Sequence, residues 1–404
     1  MYSLKMKDLI RDSFKGITPN YVDHSNVIVL NQKCIRNNQI DFSLARFHDS
    51  KKTYPSKKEL QVGDILINST GAGTAGRCAF IRELPKNYSV VADSHILVVR
   101  ISDFFIAGCV QYSLFNIEKL LQTFLDGSTG QGEFDKQRLL NVIIPIPNNP
   151  KYIYQFLSNL DKKITLNKQI NARLEEMAKT LYDYWFVQFD FPDAKGKPYK
   201  SSGGEMVFDE TLKREIPKGW EVKSLNQVAD IVMGQSPDGA SYNLEQEGTI
   251  FFQGSTDFDW RFPNVRQYTT SPTRFAQKGD ILLSVRAPVG DLNIAPFECC
   301  IGRGLAALRS KSGNNSFLFY VMKYFKTVFE RRNTEGTTFG SITKDDLHSL
   351  KLVAPADNVL EKYNEIASKY DEMIFIRSQQ NHQLTQLRDF LLPMLMNGQV
   401  SVAE

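Results

Sequence analysis

The stretch Leu160-Asp161-Lys162-Lys163-Ile164-Thr165-Leu166-Asn167-Lys168-Gln169-Ile170-Asn171-Ala172-Arg173-Leu174-Glu175 decides how the chain is read. It lies within residues 152–186, which contain neither Gly nor Pro. Leu157, Leu160, Ile164, Leu174, Ala178, Leu181 and Trp185 recur there at a three-then-four spacing. That spacing predicts one long amphipathic helix, with Pro192 behind it as a stop. Asn167 and Asn171 fall in the same seam.

A related pattern closes the chain over 360–396. A shift of 210 places Asp161 on Asp371, Ile164 on Ile374, Asn171 on Asn381, Leu174 on Leu384 and Leu181 on Leu391. At 1.5 Å per residue each helix would be roughly 50 to 60 Å long, too long to bury its stripe on one small domain. The natural partner of each helix is the other, and asparagines at matching seam positions suit a coiled coil that trades stability for register. The ordinary alternative is a surface helix on its own domain with its asparagines in water.

The regions around the helices also repeat. Val62-Gly63-Asp64-Ile65-Leu66-Ile67 matches Lys278-Gly279-Asp280-Ile281-Leu282-Leu283, and residues 92–100 stand where 301–309 stand later. Residues 128–147 match 336–355, with Gly132 on Gly340, Lys136 on Lys344 and Leu139 on Leu347. Strand-like runs are predicted over 26–30, 64–68, 90–91, 95–101 and 141–146, then over 230–233, 250–253, 280–285 and 304–308. Helices are predicted over 104–125 and 317–331. The fold class is α+β, one unit written twice. Its expected parts are a domain over 1–151, a helix over 152–191, a linker over 192–217, a domain over 218–356 and a helix over 357–404. The linker assignment rests on Lys195-Gly196-Lys197-Pro198 and Ser201-Ser202-Gly203-Gly204. Two copies are too few for a solenoid but can be related by a pseudo-two-fold axis, with the helices meeting antiparallel.

Composition narrows the class. The chain has 404 residues, 42% of them hydrophobic and 23% charged, which is ordinary for a well-cored soluble protein of two domains. The N-terminus lacks a secretory core and no apolar run reaches transmembrane length, so a cytoplasmic protein without membrane contact is expected. Five cysteines without Cys-x-x-Cys spacing argue against a disulfide framework. Five histidines without a second His or Cys at ligand spacing argue against a metal site. Net charge is +4, with +6 in residues 1–214 and −2 in 215–404. A basic face is permitted, and the lysine-rich loop over 50–58 fits either phosphate contact or a solvated turn.

No catalytic constellation emerges. Gly71-Ala72-Gly73-Thr74-Ala75-Gly76-Arg77-Cys78 only superficially matches a phosphate loop, because Arg77 and Cys78 replace the Lys and the hydroxyl. The segment that follows is too short for the required helix. Asn148-Asn149-Pro150-Lys151-Tyr152 is not an Asn-Pro-Pro-aromatic methyltransferase signature. Pro237-Asp238 lacks the following Asp/Glu-x-Lys of a nuclease, and Cys299 and Cys300 lack a His. A non-catalytic recognition protein is expected, with no cofactor of its own.

The helix stretch above resembles the specificity subunits of type I restriction-modification enzymes. So do Leu181-Tyr182-x-x-Trp185-Phe186-Val187-x-Phe189-Asp190-Phe191-Pro192 and Ile216-Pro217-x-Gly219-Trp220. Val228-Ala229-Asp230-Ile231-Val232-x-Gly234-Gln235-Ser236-Pro237 and Gly279-Asp280-Ile281-Leu282-x-Ser284-x-Arg286-Ala287-Pro288-x-Gly290 complete the likeness, which covers nearly the whole chain. The resemblance implies two target-recognition domains that each read half of a bipartite double-stranded DNA site, spaced by two helices in an antiparallel coiled coil. It also implies two methylation subunits carrying S-adenosylmethionine and recruitable restriction subunits.

Base discrimination needs Arg for guanine or Asn and Gln for adenine, whereas Lys, Ser and Thr mostly hold phosphates. Candidate DNA contacts are Asn68, Thr70, Arg77, His95, Thr129 and Lys136 in the first domain, and Gln253, Ser284, Arg286, Arg303, Thr338 and Lys344 in the second. Arg286 and Arg303 have an alternative in pairing with acidic residues such as Asp280 or Asp291. Asp93-Ser94-His95 standing where Gly302-Arg303-Gly304 stands later implies that the halves read different bases and that the target is asymmetric. Leu181, Trp185, Phe186, Leu391 and Met394 are the expected subunit contacts, a stacking platform for single-stranded DNA being the other use of Trp185 and Phe186. The rival to a specificity subunit is a free-standing sequence-specific repressor.

Overall fold

A computed structural model describes residues 2–71, 73–126, 132–334 and 341–402. The chain forms two compact units, Met1–Leu166 with Gln380–Glu404, and Asn167–Gln379. They are called unit 1 and unit 2 below.

Unit 1 is built on an antiparallel sheet in the order Asp12–Lys15, Ile96–Arg100, Ile65–Asn68, Cys78–Phe80. Ile96–Arg100, Ile65–Asn68 and Cys78–Phe80 read as nearly unbroken apolar runs because both faces are covered, whereas the edge strand Asp12–Lys15 is mostly polar and open to water. Ile65, Ile67, Cys78, Phe80, Leu97 and Val99 point into one core with the helix Phe104–Asn116. Leu66, Ala79, Ile96 and Val98 point into another beneath a second sheet. In that second sheet Ser89–Ala92 runs parallel to Val27–Leu30. Tyr2–Lys5 pairs antiparallel with Ile143–Ile146, tying the start of the unit to its end.

Unit 2 repeats this topology. Ala229–Met233, Leu305–Ser310, Ile281–Ser284 and Leu292–Ile294 form its antiparallel sheet in that order. Ile281, Leu283, Ala306 and Leu308 face one core, and Leu282, Leu305 and Ala307 face the other. Thr249–Phe252 runs parallel to Cys299–Ile301, and Glu221–Ser224 pairs with Lys351–Ala354. The same ion pair braces both sheets. Arg100 holds Asp64 through Nε to Oδ1 at 2.7 Å and Nη2 to Oδ2 at 2.8 Å. Arg309 holds Asp280 through the same atoms at 2.7 and 2.8 Å.

The first long helix spans Pro150–Tyr182 and the second Asp357–Met396. The first ends in a widened turn, Asp183–Val187, instead of running on to 186 as one regular helix. Each unit holds a segment of both helices, side by side and antiparallel. In unit 1 Asn381 Nδ2 donates to the Ile164 carbonyl at 3.3 Å, and Arg388 Nη1 meets Asp161 Oδ1 at 3.0 Å. In unit 2 Asn171 Nδ2 donates to Ser378 Oγ at 3.1 Å and to the Ile374 carbonyl at 3.4 Å. These are the asparagines and isoleucines that the 210-residue shift superimposes.

One buried carboxylate, Asp161, and one half-buried one, Asp371, anchor the helix segments. Asp161 is met by Arg82 at 3.0 Å and accepts from the Tyr112 hydroxyl at 2.6 Å, in addition to Arg388. Asp371 is paired with Arg261, which is 2% exposed, and accepts from Ser316 Oγ at 2.6 Å. Burial raises the Asp371 carboxyl above its ordinary range, while the Arg261 charge opposes that shift. The Arg261 guanidinium also lies 4.0 Å over the Phe319 ring.

Two further elements differ from the sequence expectation. The predicted helix over 104–125 breaks after Asn116, where Ile117 leaves helical backbone, and resumes over Glu118–Gln122. The segment expected as a structureless linker holds the hairpin Met206–Asp209 with Arg214–Pro217. Its turn is fixed by the Asp209 carboxylate accepting from the amides of Thr211 and Leu212. Phe191 and Tyr199 stack at 4.6 Å, and Phe191 lies 4.9 Å from Trp220, so this segment folds onto unit 2. No helix among the described residues is long and apolar enough to cross a membrane.

Candidate nucleic-acid interface

In each unit, loops converge at one end of the four-stranded sheet. In unit 2, Gln253 follows a strand, Arg286 follows Ile281–Ser284, and Arg303 precedes Leu305–Ser310. Backbone contacts bring them together. Val285 N donates to the Gly304 carbonyl, Gly302 N to Phe252, and Arg286 bridges Ser341 antiparallel. A Cβ on Gly304 would stand 2.6 Å from the Gln253 carbonyl oxygen, so glycine permits this approach. Gln253, Arg286 and Arg303 are all exposed. Asp280 and Asp291, the carboxylates weighed as partners for these arginines, are instead held by Arg309 and Lys326. Lys344, also exposed, opens the helix Lys344–Ser349 behind its Thr343 cap.

Unit 1 assembles the equivalent loops. Thr70 bridges Glu133 antiparallel, as Arg286 bridges Ser341. Thr70 Oγ1 and His95 Nδ1 lie 3.0 Å apart, Ser69 N donates to the His95 carbonyl, and Gln32 Nε2 donates to the Thr70 carbonyl at 2.8 Å. A Cβ on Gly16 would collide with the Asp93 carbonyl oxygen at 2.1 Å. Lys15, beside it, pairs with Glu133. His95 and Lys136 are exposed and Thr70 is half-buried. Lys58, from the lysine-rich loop, donates to the Gly16 carbonyl at 2.9 Å, which ties it to the fold, whereas Lys51, Lys52 and Lys57 are exposed.

Several expected site residues serve the fold instead. Asn68 is fully buried, its side-chain amide donating to the Gln32 carbonyl at 3.2 Å, so it shapes the loop and does not meet a base. Ser284 is 1% exposed and donates within its own turn, to the carbonyls of Arg286 and Pro288. Arg77 is half-buried beside Glu118, whose carboxyl its charge pulls down against the rise from burial. Thr129 and Thr338 lie outside the described residues. Trp185 and Phe186, expected at a subunit surface, are buried in the core of unit 2 against Tyr363 at 6.0 and 4.9 Å. That burial removes the stacking-platform reading as well. Leu181 packs partly against the same core, and Leu391 against that of unit 1. Met394 is half-buried.

Gln32, Lys15 and Glu133 were missed because each belongs to the site only through the folded loops. Gly76 leads into the strand Cys78–Phe80, not a helix, so the glycine-rich segment has no phosphate-loop context. Among the described residues, no group of His, Cys, Asp and Glu could hold a metal ion.

The type I restriction modification DNA specificity domain matches the chain twice, over residues 15–176 and 217–386, and the chain belongs to that family. It is a type I specificity subunit, the DNA-recognition component of such a system rather than a catalytic one. A Methanocaldococcus jannaschii protein assigned as the MjaX type I restriction enzyme specificity subunit is 31% identical over 98% of this chain and 93% of its own. The HindI specificity subunit of Haemophilus influenzae is 22% identical over 93% and 95%. The crystal structure of the type I restriction-modification S subunit from M. genitalium shares the fold, with a TM-score of 0.62 at 13% identity over 98% of this chain and 95% of that one.

Proposed function

We propose that the two loop clusters each read one half of an asymmetric bipartite site in double-stranded DNA. The observation that carries this reading is the repeated bridge, Thr70 with Glu133 and Arg286 with Ser341, which presents unlike side chains at one place in a repeated fold. Arg286 and Arg303 suit guanine, Gln253 suits adenine, and Lys344 suits phosphate. In unit 1 Thr70, His95 and Lys136 line the reading face. The domains are 1–151 and 218–356, and the helices 152–191 and 357–404 form an antiparallel coiled coil about a pseudo-two-fold axis. The reciprocal asparagine contacts support that pairing. Those helices set the gap between half-sites, about one DNA turn being 34 Å.

The same helices carry two methylation subunits, which bring S-adenosylmethionine, and through them the restriction subunits. With Trp185 and Phe186 spent on the core, the docking role falls to exposed apolar residues such as Met177, Tyr184, Ile376, Leu387 and Phe390, beside Leu181, Leu391 and Met394. The assembly works in the cytoplasm. A base-resolution map of methylated adenine in host cells with and without this gene tests the reading. Loss of one motif of two short half-sites with a fixed gap supports it. An unchanged map, with the methylation subunits expressed, overturns it.

A further inference from the structure

Glu133 is an exposed carboxylate in the loop cluster of unit 1, on a strand whose pairing sets Asp126 opposite it. It is 64% exposed at the side chain, and its strand Glu133–Phe134 is fastened to the loop after Ile65–Asn68 by the Thr70 bridge and by Phe134 N donating to the Ser69 carbonyl at 2.9 Å. Around the same cluster stand Lys15, Lys58, His95 and, three residues along the chain, Lys136. A carboxylate there repels phosphate, and an ion pair as exposed as that with Lys15 adds little to stability. What a carboxylate offers in a groove is acceptors only, and the bases that present a matching donor in the major groove are cytosine, through N4, and adenine, through N6.

Resting on the reading of unit 1 as a DNA-recognition unit, we infer that Glu133 is a specificity-determining residue that accepts a hydrogen bond from the exocyclic amino group of one base. In free protein Lys15 occupies the carboxylate. On DNA the base amino group takes that place, and the lysine turns to the phosphates beside it. Ser341 stands at the matching bridge of unit 2, so the two halves differ in kind at this position.

The test uses the full chain with its methylation subunits. Adenine methylation maps are recorded in cells carrying the wild type, Glu133→Ala and Arg303→Ala. Glu133→Ala is expected to relax a single position in the half-site that Arg303→Ala leaves unaltered, by about tenfold in preference, with the gap and the other half unchanged. In parallel, the wild-type complex is titrated with duplexes in which each cytosine of that half-site is replaced by pyrimidin-2-one or each adenine by purine, so that only the amino group is lost. One replacement should weaken wild-type binding about tenfold and leave Glu133→Ala binding unaffected, and its identity tells cytosine from adenine. An unaltered motif in Glu133→Ala, or a wild type indifferent to every amino deletion in that half, overturns the inference. Should Glu133→Ala fail to assemble, Glu133→Ser replaces it in both measurements and is expected to behave as Glu133→Ala would. A wild-type complex that directs no bipartite methylation removes the functional reading itself, whereas an intact motif indifferent to Glu133 removes only this step.

Discussion

Unit 1 and unit 2 agree where the chain must hold a sheet together and differ where loops leave it. Asp64 with Arg100 and Asp280 with Arg309 make the same two-point pair through the same atoms. At the loop bridge, by contrast, unit 1 presents Thr70 and Glu133 and unit 2 presents Arg286 and Ser341. Each pair satisfies a buried carboxylate, so drift at that position is penalised in either copy. Solvent-facing loop residues carry no such penalty and are free to specialise.

The largest contrast is expected at the anchored carboxylates. Among the described residues Asp371 is in direct contact with one cation, Arg261, whereas Asp161 meets both Arg82 and Arg388. Arg261→Met should destabilise unit 2 by about 3–5 kcal/mol, because it leaves Asp371 and Glu175, both largely shielded from water, without the guanidinium between them. Arg82→Met should cost unit 1 about 1–3 kcal/mol, since a cation remains. Urea unfolding followed by fluorescence measures the first, because Trp185, Trp220 and Trp260 all lie in unit 2. Equal losses in the two units would break the comparison.

The braces should differ next. Arg100 is 12% exposed at its side chain and Arg309 is 42% exposed. Asp64→Ala, which leaves a nearly dry guanidinium, is expected to cost about 3 kcal/mol. Asp280→Ala, which leaves one that water reaches, is expected to cost about 1–2 kcal/mol. The order of the unfolding midpoints checks this. Smaller still, Asn171→Ala and Asn381→Ala both remove side-chain hydrogen bonding to the opposite helix and should cost about 1 kcal/mol apiece. A mismatch between them would show that the two helix pairings are unequal despite the repeat.

The smallest effect is a null reaction. All five cysteines are buried, and burial pushes the Cys34 thiol up to about 11, Cys109 and Cys299 to about 12, and Cys78 higher still. Native protein at pH 8 should resist alkylation. In rising denaturant, peptide mapping should show Cys34, Cys78 and Cys109 reacting as unit 1 opens, and Cys299 and Cys300 as unit 2 opens. Rapid labelling of native protein would contradict the burial.

Much of the architecture was legible in the residues. The helix seam, the 210-residue shift, the paired apolar strands and the family motifs all rest on local periodicity or on direct repetition. Asn171 and Asn381 could be named as seam residues because their spacing from Ile164 and Ile374 repeats. The hairpin over Met206–Asp209 and Arg214–Pro217 was not legible, because Val207 and Phe208 are both exposed and its two short strands carry no alternation strong enough to separate them from the glycine-rich stretch before them. Asn68 and Ser284 looked like groove residues because polarity at a strand end does not reveal burial.

Sequence alone determined that the chain is one α+β unit written twice, with two long helices and the motifs of a DNA-specificity family, because repetition and periodicity are properties of order along a chain. Tertiary structure alone decided which polar residues are exposed and which loops meet. Glu133 reaches Thr70 across 63 residues, Ser341 reaches Arg286 across 55, and Trp185 and Phe186 turn inward. Strand pairing and core packing act between residues distant in sequence, and no local pattern carries that information.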